Sequence, residues 1–183
     1  MMAAALRFLA ACAWYLLPMG FANIAPVLVR NRMRFLAIPV DNLFGKRGIF
    51  GYHKTVRGLL AGVAFGTLGF WWQQLIAQEL AWARHFGLFD YPSMSLWFGV
   101  LAGAGAILGD LVRSAVKRRV HIRPGGRFLP WDQLDYVTFG ILFTLPFFRP
   151  AWGAAFTTLV IGFFLHILFS GLAHALGMKK DRF

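Results

Sequence analysis

Residues Tyr91 to Arg119 read YPSMSLWFGVLAGAGAILG and then DLVRSAVKRR, and this stretch decides the fold. The first nineteen residues carry no charge; the next ten carry one acid and four bases. About 20 apolar residues in a helix cross a hydrocarbon core roughly 30 Å thick. An apolar run that stops in a Lys/Arg cluster is a membrane span with one end held on the cytoplasmic side. The same pattern recurs outward along the chain. Phe8 to Val29 holds 22 uncharged residues, Gly58 to Gln78 holds 21, and Ala151 to Met178 holds 28. Tyr136 to Phe148 holds only 13, preceded by Asp135 and closed by Arg149-Pro150. That piece alone is about 20 Å long, so it spans only if its helix starts at or before Asp135, and is otherwise re-entrant.

Composition agrees with this reading. The chain of 183 residues is 58% hydrophobic and 14% charged, with 20 Phe and 7 Trp. A soluble domain carries about 25% charged residues, so a cytosolic enzyme is excluded, and so is a disordered chain. The single Cys12 excludes an internal disulfide framework and a cysteine zinc site. The expectation is an all-α integral membrane protein with about five transmembrane helices, over residues 8–29, 58–78, 93–115, 133–149 and 152–176, forming one domain over 1–183.

Charge sets the orientation. Seven Lys or Arg lie between Arg30 and Arg57, six between Arg113 and Arg127, and three after Met178. Only Arg7, Arg84 and Arg149 fall on the other face. Cytoplasmic loops are the Lys/Arg-rich ones, which puts the amino end outside, the carboxyl end in the cytoplasm, and two long basic loops on the cytoplasmic side. The first span is read as retained: in a cleaved signal peptide the positive charges precede the apolar run, whereas here Arg30, Arg32 and Arg34 follow it.

With only seven acids against a net charge of +12, each acid is informative. Asp110, Ser114 and Lys117 fall within an arc of about 60° on one helical face. An ionisable group inside a membrane helix is costly and usually faces a cavity or a partner. The basic run Lys117-Arg118-Arg119 also serves as a stop-transfer cluster at the headgroups. Asp132 and Asp135 stand three apart at the start of the fourth segment, so their side chains can meet. The same pair fits a capping arrangement. Three of seven acids thus gather at the cytoplasmic ends of adjoining spans, and carboxylates of this kind hold Mg²⁺ together with phosphates.

The first basic loop adds Asp41 and the glycine-interleaved run Gly45 to Gly58, in which Lys54, Thr55 and Arg57 can receive a phosphate. Its spacing is not that of a Walker loop. It reads equally as a flexible positive-inside loop. His53 sits where it can touch a substrate, whereas His166 and His174, with no acid or cysteine beside them, read as packing between helices. Glycines at 62, 66, 69, 99, 103, 105 and 109 suit close helix contact.

At these residues the chain resembles the CDP-archaeol synthases, relatives of the bacterial CDP-diacylglycerol synthases. The resemblance covers most of the chain, through Ala22-Asn23-Ile24-Ala25-Pro26, Pro39-Val40-Asp41, and Gly51-Tyr52-His53-Lys54-Thr55-Val56-Arg57-Gly58. It continues through Gly109-Asp110, Ser114 and Lys117-Arg118-Arg119 to Pro130 and Asp132-Gln133-Leu134-Asp135. Ser114, Lys117 and Arg118 meet the Ser-x-x-Lys-Arg of the wider pattern. Its Gly-His-Gly-Gly stretch is missing, Arg123-Pro124 stands where Lys-Asp would be, and Gln133 replaces an Arg; these departures look like the archaeol branch.

The resemblance implies a CTP-dependent cytidylyltransferase of phospholipid biosynthesis that converts a lipid phosphate to a CDP-lipid and expels pyrophosphate. It implies Mg²⁺ on Asp110, Asp132 and Asp135, a catalytic role for Lys117, and phosphate or substrate contacts from Lys54, Thr55, Arg57, Ser114, Arg118 and Asp41. Partners would be CTP, a lipid phosphate such as 2,3-bis-O-geranylgeranylglyceryl phosphate, and membrane lipids, at a site on the cytoplasmic side of the cell membrane; a homodimer is compatible with it. Phosphatidate is the alternative acceptor. A small transporter or assembly factor is the alternative from another class, although carboxylates near one face make a poor path across a membrane. Nucleic acid is not expected, because the basic residues follow membrane sidedness.

Overall fold

The computed structural model describes residues 1–30, 34–43, 48–80, 83–84, 86–122, 126 and 128–175. The Gly45-Lys46-Arg47 part of the first basic loop, Arg123-Pro124 and the basic tail lie outside the described residues. Among those described, the order is α1 (Met2–Leu28), a 3₁₀ turn (Arg34–Leu36), α2 (Val40–Leu43), α3 (Val56–Glu79), α4 (Trp97–Arg119), α5 (Trp131–Thr144) and α6 (Trp152–Ala175), with no strand. The fold is all-helical.

Among the described residues, four helices are long and apolar enough to cross a membrane: Met2–Leu28, Val56–Glu79, Trp97–Arg119 and Trp152–Leu172. Their outward faces carry Trp71, Trp72, Trp152, Phe156 and Phe164, which suits contact with lipid. The short segment behaves differently from the 133–149 expected. Helix α5 starts at Trp131, ahead of Asp135, and stops at Thr144, where residues 145–147 turn. Its 14 residues rise about 21 Å, less than the core of a bilayer. Helix α4 begins at Trp97 rather than 93, because a turn occupies Tyr91 to Ser93 and the chain bends at Met94, with the Asp90 carbonyl accepting from Ser93 Oγ.

Glycines bring the helices together. A Cβ on Gly66 would stand 2.6 Å from the Cα of Gly103, so α3 and α4 cross with their backbones in direct contact. Farther along α4, a Cβ on Gly105 would meet the Phe139 carbonyl carbon at 2.9 Å, and one on Gly109 would meet that of Asp135 at 2.8 Å. These pairings run in opposite senses along the two helices, so α4 and α5 are antiparallel. Close approach of small residues is how membrane helices associate when both solvents are apolar. Helix α1 packs on α3 in the same antiparallel sense, with Pro26 at Gly58 and the Trp14 carbonyl accepting from Gln73 Nε2.

The two ends of the bundle differ in chemistry. One is aromatic: Phe89 stacks on Tyr91 with centroids 4.2 Å apart, and Tyr15 meets Phe148 edge-on at 5.7 Å while its hydroxyl is 3.0 Å from Thr144 Oγ1. The loop between α3 and α4 is tied there by Gln74 Nε2, which donates to the Tyr91 and Met94 carbonyls. The other end, where α1 and α4 stop and α3 and α5 start, is charged. Replacing Gly66 by Leu forces α3 and α4 apart and is expected to lower stability in detergent by about 1–3 kcal/mol, the usual cost of overpacking. Gly20→Ala, inside α1 with nothing within 4 Å of the added carbon, should not lower the unfolding midpoint in the same thermal-melt measurement.

Candidate active site

The charged end is assembled from three pieces of chain. A short antiparallel bridge between Pro39 and Thr55 joins the first piece, with Val40 N donating to the Lys54 carbonyl (2.7 Å) and Val56 N to that of Ile38 (2.9 Å). Asp41 ties the loop that follows. Its carboxylate accepts from the backbone amides of Gly48 (2.8 Å), Phe50 (2.8 Å) and Gly51 (3.2 Å). Gly48 and Gly51 take positive φ values of 85° and 95°, which glycine adopts at little cost. Burial alone would raise the Asp41 pKa, but the amides of Phe50, Gly48 and Gly51 outweigh it and hold the carboxyl below its ordinary range. Thr55, in extended conformation, is the N-cap of α3, its Oγ1 accepting from Gly58 N at 3.3 Å. Together these contacts fix Lys54 against the end of α4.

Helices α4 and α5 supply the rest. The close approach at Gly109 sets Asp110 and Arg113 of α4 opposite Asp132 and Asp135 of α5. The guanidinium of Arg113 stands among all three carboxylates. Its Nη2 pairs with Asp110 Oδ1, its Nη1 with Asp132 Oδ1 at 2.8 Å, and its Nε lies 3.0 Å from Asp135 Oδ2. The last contact is an ion pair without hydrogen-bond alignment, so Asp135 Oδ2 is buried with no donor on it. Asp135 Oδ1 accepts from Tyr136 N at 2.7 Å. Two further cations complete the cluster: Lys54 Nζ pairs with Asp110 Oδ2, and Lys117 Nζ with Asp132 Oδ1 at 2.9 Å. Three acids and three bases, none with a side chain more than 24% exposed, therefore close into one cage.

The remaining expected residues take distinct places. Ser114 Oγ donates to the Asp110 carbonyl one turn back (2.8 Å), and Lys117 reaches across to α5 rather than up its own helix to Asp110. Arg57 is buried at the start of α3. Arg118 Nε is buried without a hydrogen bond among the described residues. Burial, and after it the charges of Arg30, Lys54 and Arg118, push the His53 imidazole below its usual range. Asp132 does not cap α5 at its first turn: Pro130 holds the cap position, and Asp132 Oδ2 accepts from Phe128 N at 2.6 Å. His166 packs beside Tyr136, ring centroids 6.1 Å apart.

The residue that counting by sidedness passed over is Arg113. Read only as one more positive charge, it is the hub of the cage. The signal was present in the sequence as an acid and a base three apart on one helix. Away from the cage, an apolar groove of about 350 Å³ lies between α1 and α3, lined by Phe21, Ile24, Leu28, Phe65, Leu68, Gly69 and Trp72.

Apolar helices bearing a buried cluster of carboxylates and cations at one end define a multi-pass membrane enzyme with its polar chemistry at the bundle's edge. Residues 5–183 match the sequence profile of the CarS-like CDP-archaeol synthases. The CDP-archaeol synthase of Pyrococcus furiosus is 35% identical over 174 residues, covering 91% of this chain and 93% of the relative. That of Thermococcus onnurineus is 34% identical over 172 residues, covering 91% and 92%. A solved structure described as an intramembrane enzyme for archaeal membrane lipids biosynthesis superposes with a TM-score of 0.62 at 27% identity, covering 85% of this chain and 90% of that one. The chain belongs to the CDP-archaeol synthase family.

Asp41→Ala leaves the amides of Gly48, Phe50 and Gly51 without their acceptor and frees Lys54 from its loop. Cleavage between Val40 and Val56 by a protease should quicken while the melting of the bundle stays nearly unchanged. Because the folded carboxyl is held low, its contribution is intact at neutral pH. It is lost as pH falls below the ordinary aspartate value of about 3.9 and on through the folded value. Wild-type protein should therefore become protease-sensitive in this loop under acid conditions, and Asp41→Ala should show no such pH dependence.

Proposed function

We propose that the cage is where a lipid phosphate is joined to CTP, the chain being a cytidylyltransferase that forms a CDP-lipid and releases pyrophosphate. The observation that supports this most is the convergence of Asp110, Asp132 and Asp135 with Lys54, Arg113 and Lys117 in a member of this family. An oxygen of the lipid phosphate attacks the α-phosphorus of CTP, the bond to the β-phosphate breaks, and pyrophosphate leaves with the electron pair. Such chemistry rests on positioning and on stabilising charge. Lys54, Arg57, Lys117 and Arg118 hold phosphate oxygens of nucleotide and lipid. Thr55 and Asp41 act one step back, by fixing the cap and the loop that carry Lys54.

The donor set suits a hard divalent ion such as Mg²⁺, and Asp135 Oδ2 is a buried carboxylate oxygen with no donor on it. Among the described residues, no three His, Cys, Asp or Glu side chains are already grouped to hold one ion. Mg²⁺ commonly uses one or two carboxylates and completes its shell with waters and substrate phosphates, which is the mode we assign to Asp110, Asp132 and Asp135. When bound, the ion neutralises charge on the transferring phosphate. The acceptor is an archaeol-type ether lipid phosphate, a reading that rests on the relatives named CDP-archaeol synthases. The sidedness of Lys and Arg supports a site on the cytoplasmic side of the cell membrane. The apolar groove between α1 and α3 suits a prenyl chain.

Purified protein in detergent should release pyrophosphate from CTP and Mg²⁺ with 2,3-bis-O-geranylgeranylglyceryl phosphate, and far more slowly with dioleoyl phosphatidate. Asp135→Asn should lower that rate at least about a hundredfold, as loss of a group acting on the transition state does. No release with either lipid, from protein that melts cooperatively, sinks the enzyme reading.

A further inference from the structure

We infer that Arg113 is a resident counter-ion that occupies the carboxylate cage until a nucleotide phosphate draws it away, so that the divalent ion binds tightly only together with nucleotide. The inference rests on the reading of the cage as the metal and CTP site. A guanidinium is a planar fork of five N–H groups that never loses its charge. Here three of its nitrogens each face a different aspartate, on two helices. In all three aspartates one carboxylate oxygen is thereby taken from a metal ion: Asp110 Oδ1, Asp132 Oδ1 and Asp135 Oδ2 are all turned onto Arg113.

Charge counting gives the coupling its direction. Three carboxylates balance Lys54, Arg113 and Lys117, so a bare divalent ion entering this buried cluster leaves an excess of two positive charges. A polyphosphate entering with the ion offsets that excess and offers the displaced guanidinium a new anion. The pairing at Asp135 is the corner that opens first, because the Arg113 Nε there is close but not aligned. Arg113 is thus a positioning residue: it acts on metal and nucleotide through the three aspartates.

Equilibrium dialysis in detergent tests this with Mn²⁺ as the probe, alone or with a CTP analogue carrying a methylene bridge between the α- and β-phosphorus. The wild type should retain Mn²⁺ weakly when it is offered alone and more tightly with the analogue. Arg113→Gln should bind Mn²⁺ alone at least roughly tenfold more tightly than the wild type, within the usual range of coupling between two ligands. In the presence of EDTA it should also melt at a lower temperature, because three close carboxylates then repel one another. Arg113→Lys, one point charge in place of the fork, should fall between the two and decides the matter if the Gln variant does not fold. If the variant that folds binds Mn²⁺ alone no more tightly than the wild type, while the wild type binds it with the analogue, the inference is overturned and the metal site stands. Retention of Mn²⁺ by neither protein, with or without analogue, overturns the metal reading along with it.

Discussion

A carboxylate cannot lie near the hydrocarbon of a membrane without compensation, and three of them within reach of one another stay charged only where cations stand between them. That constraint organises the charged end of this protein. Arg113 touches Asp110, Asp132 and Asp135, while Lys54 and Lys117 close the outer sides. Removing one member of such a buried set leaves an unpaired charge, which is far more costly than the net worth of any single pair. The cluster is therefore held together as a unit that ties α4, α5 and the Lys54 loop to one another.

The backbone makes the unit reachable. Side chains as short as aspartate meet across two helices only where the helices nearly touch, and Gly105 and Gly109 allow that contact. The glycine stripe is packing and site construction at once: Gly109 lies on the carbonyl of Asp135, the very residue whose carboxylate faces Arg113. At the opposite end the packing is aromatic, with Tyr15, Phe89, Tyr91 and Phe148 interlocked. One end of the molecule is thus closed by apolar packing, and the other is held by charges that a polyanionic substrate can rearrange.

The first basic loop links the two themes. Its cations would be scattered by mutual repulsion if nothing ordered the backbone between them. Asp41 supplies that order by collecting three amides, the Pro39–Thr55 bridge pins the far side, and Thr55 caps α3. Lys54 is delivered to Asp110 across 56 residues of sequence by these short-range devices.

Much of this was legible in the chain itself. The apolar runs, the sidedness of Lys and Arg, and the scarcity of acids dictate a helical membrane protein with its chemistry at one end, because hydrocarbon tolerates little else. The separated blocks from Ala22 to Asp135 were enough to recognise the family, and the glycines announced close contacts without saying with what. What the tertiary structure alone decided is who meets whom. Lys117 points to Asp132 rather than to Asp110 on the same face of its own helix, Asp41 serves the loop, α5 ends at Thr144, and Arg113 becomes the hub. The reason is physical. Periodicity fixes which face of a helix a residue occupies, but the partner of a buried charge is set by which backbones lie in contact, and that is a property of packing between segments far apart in sequence.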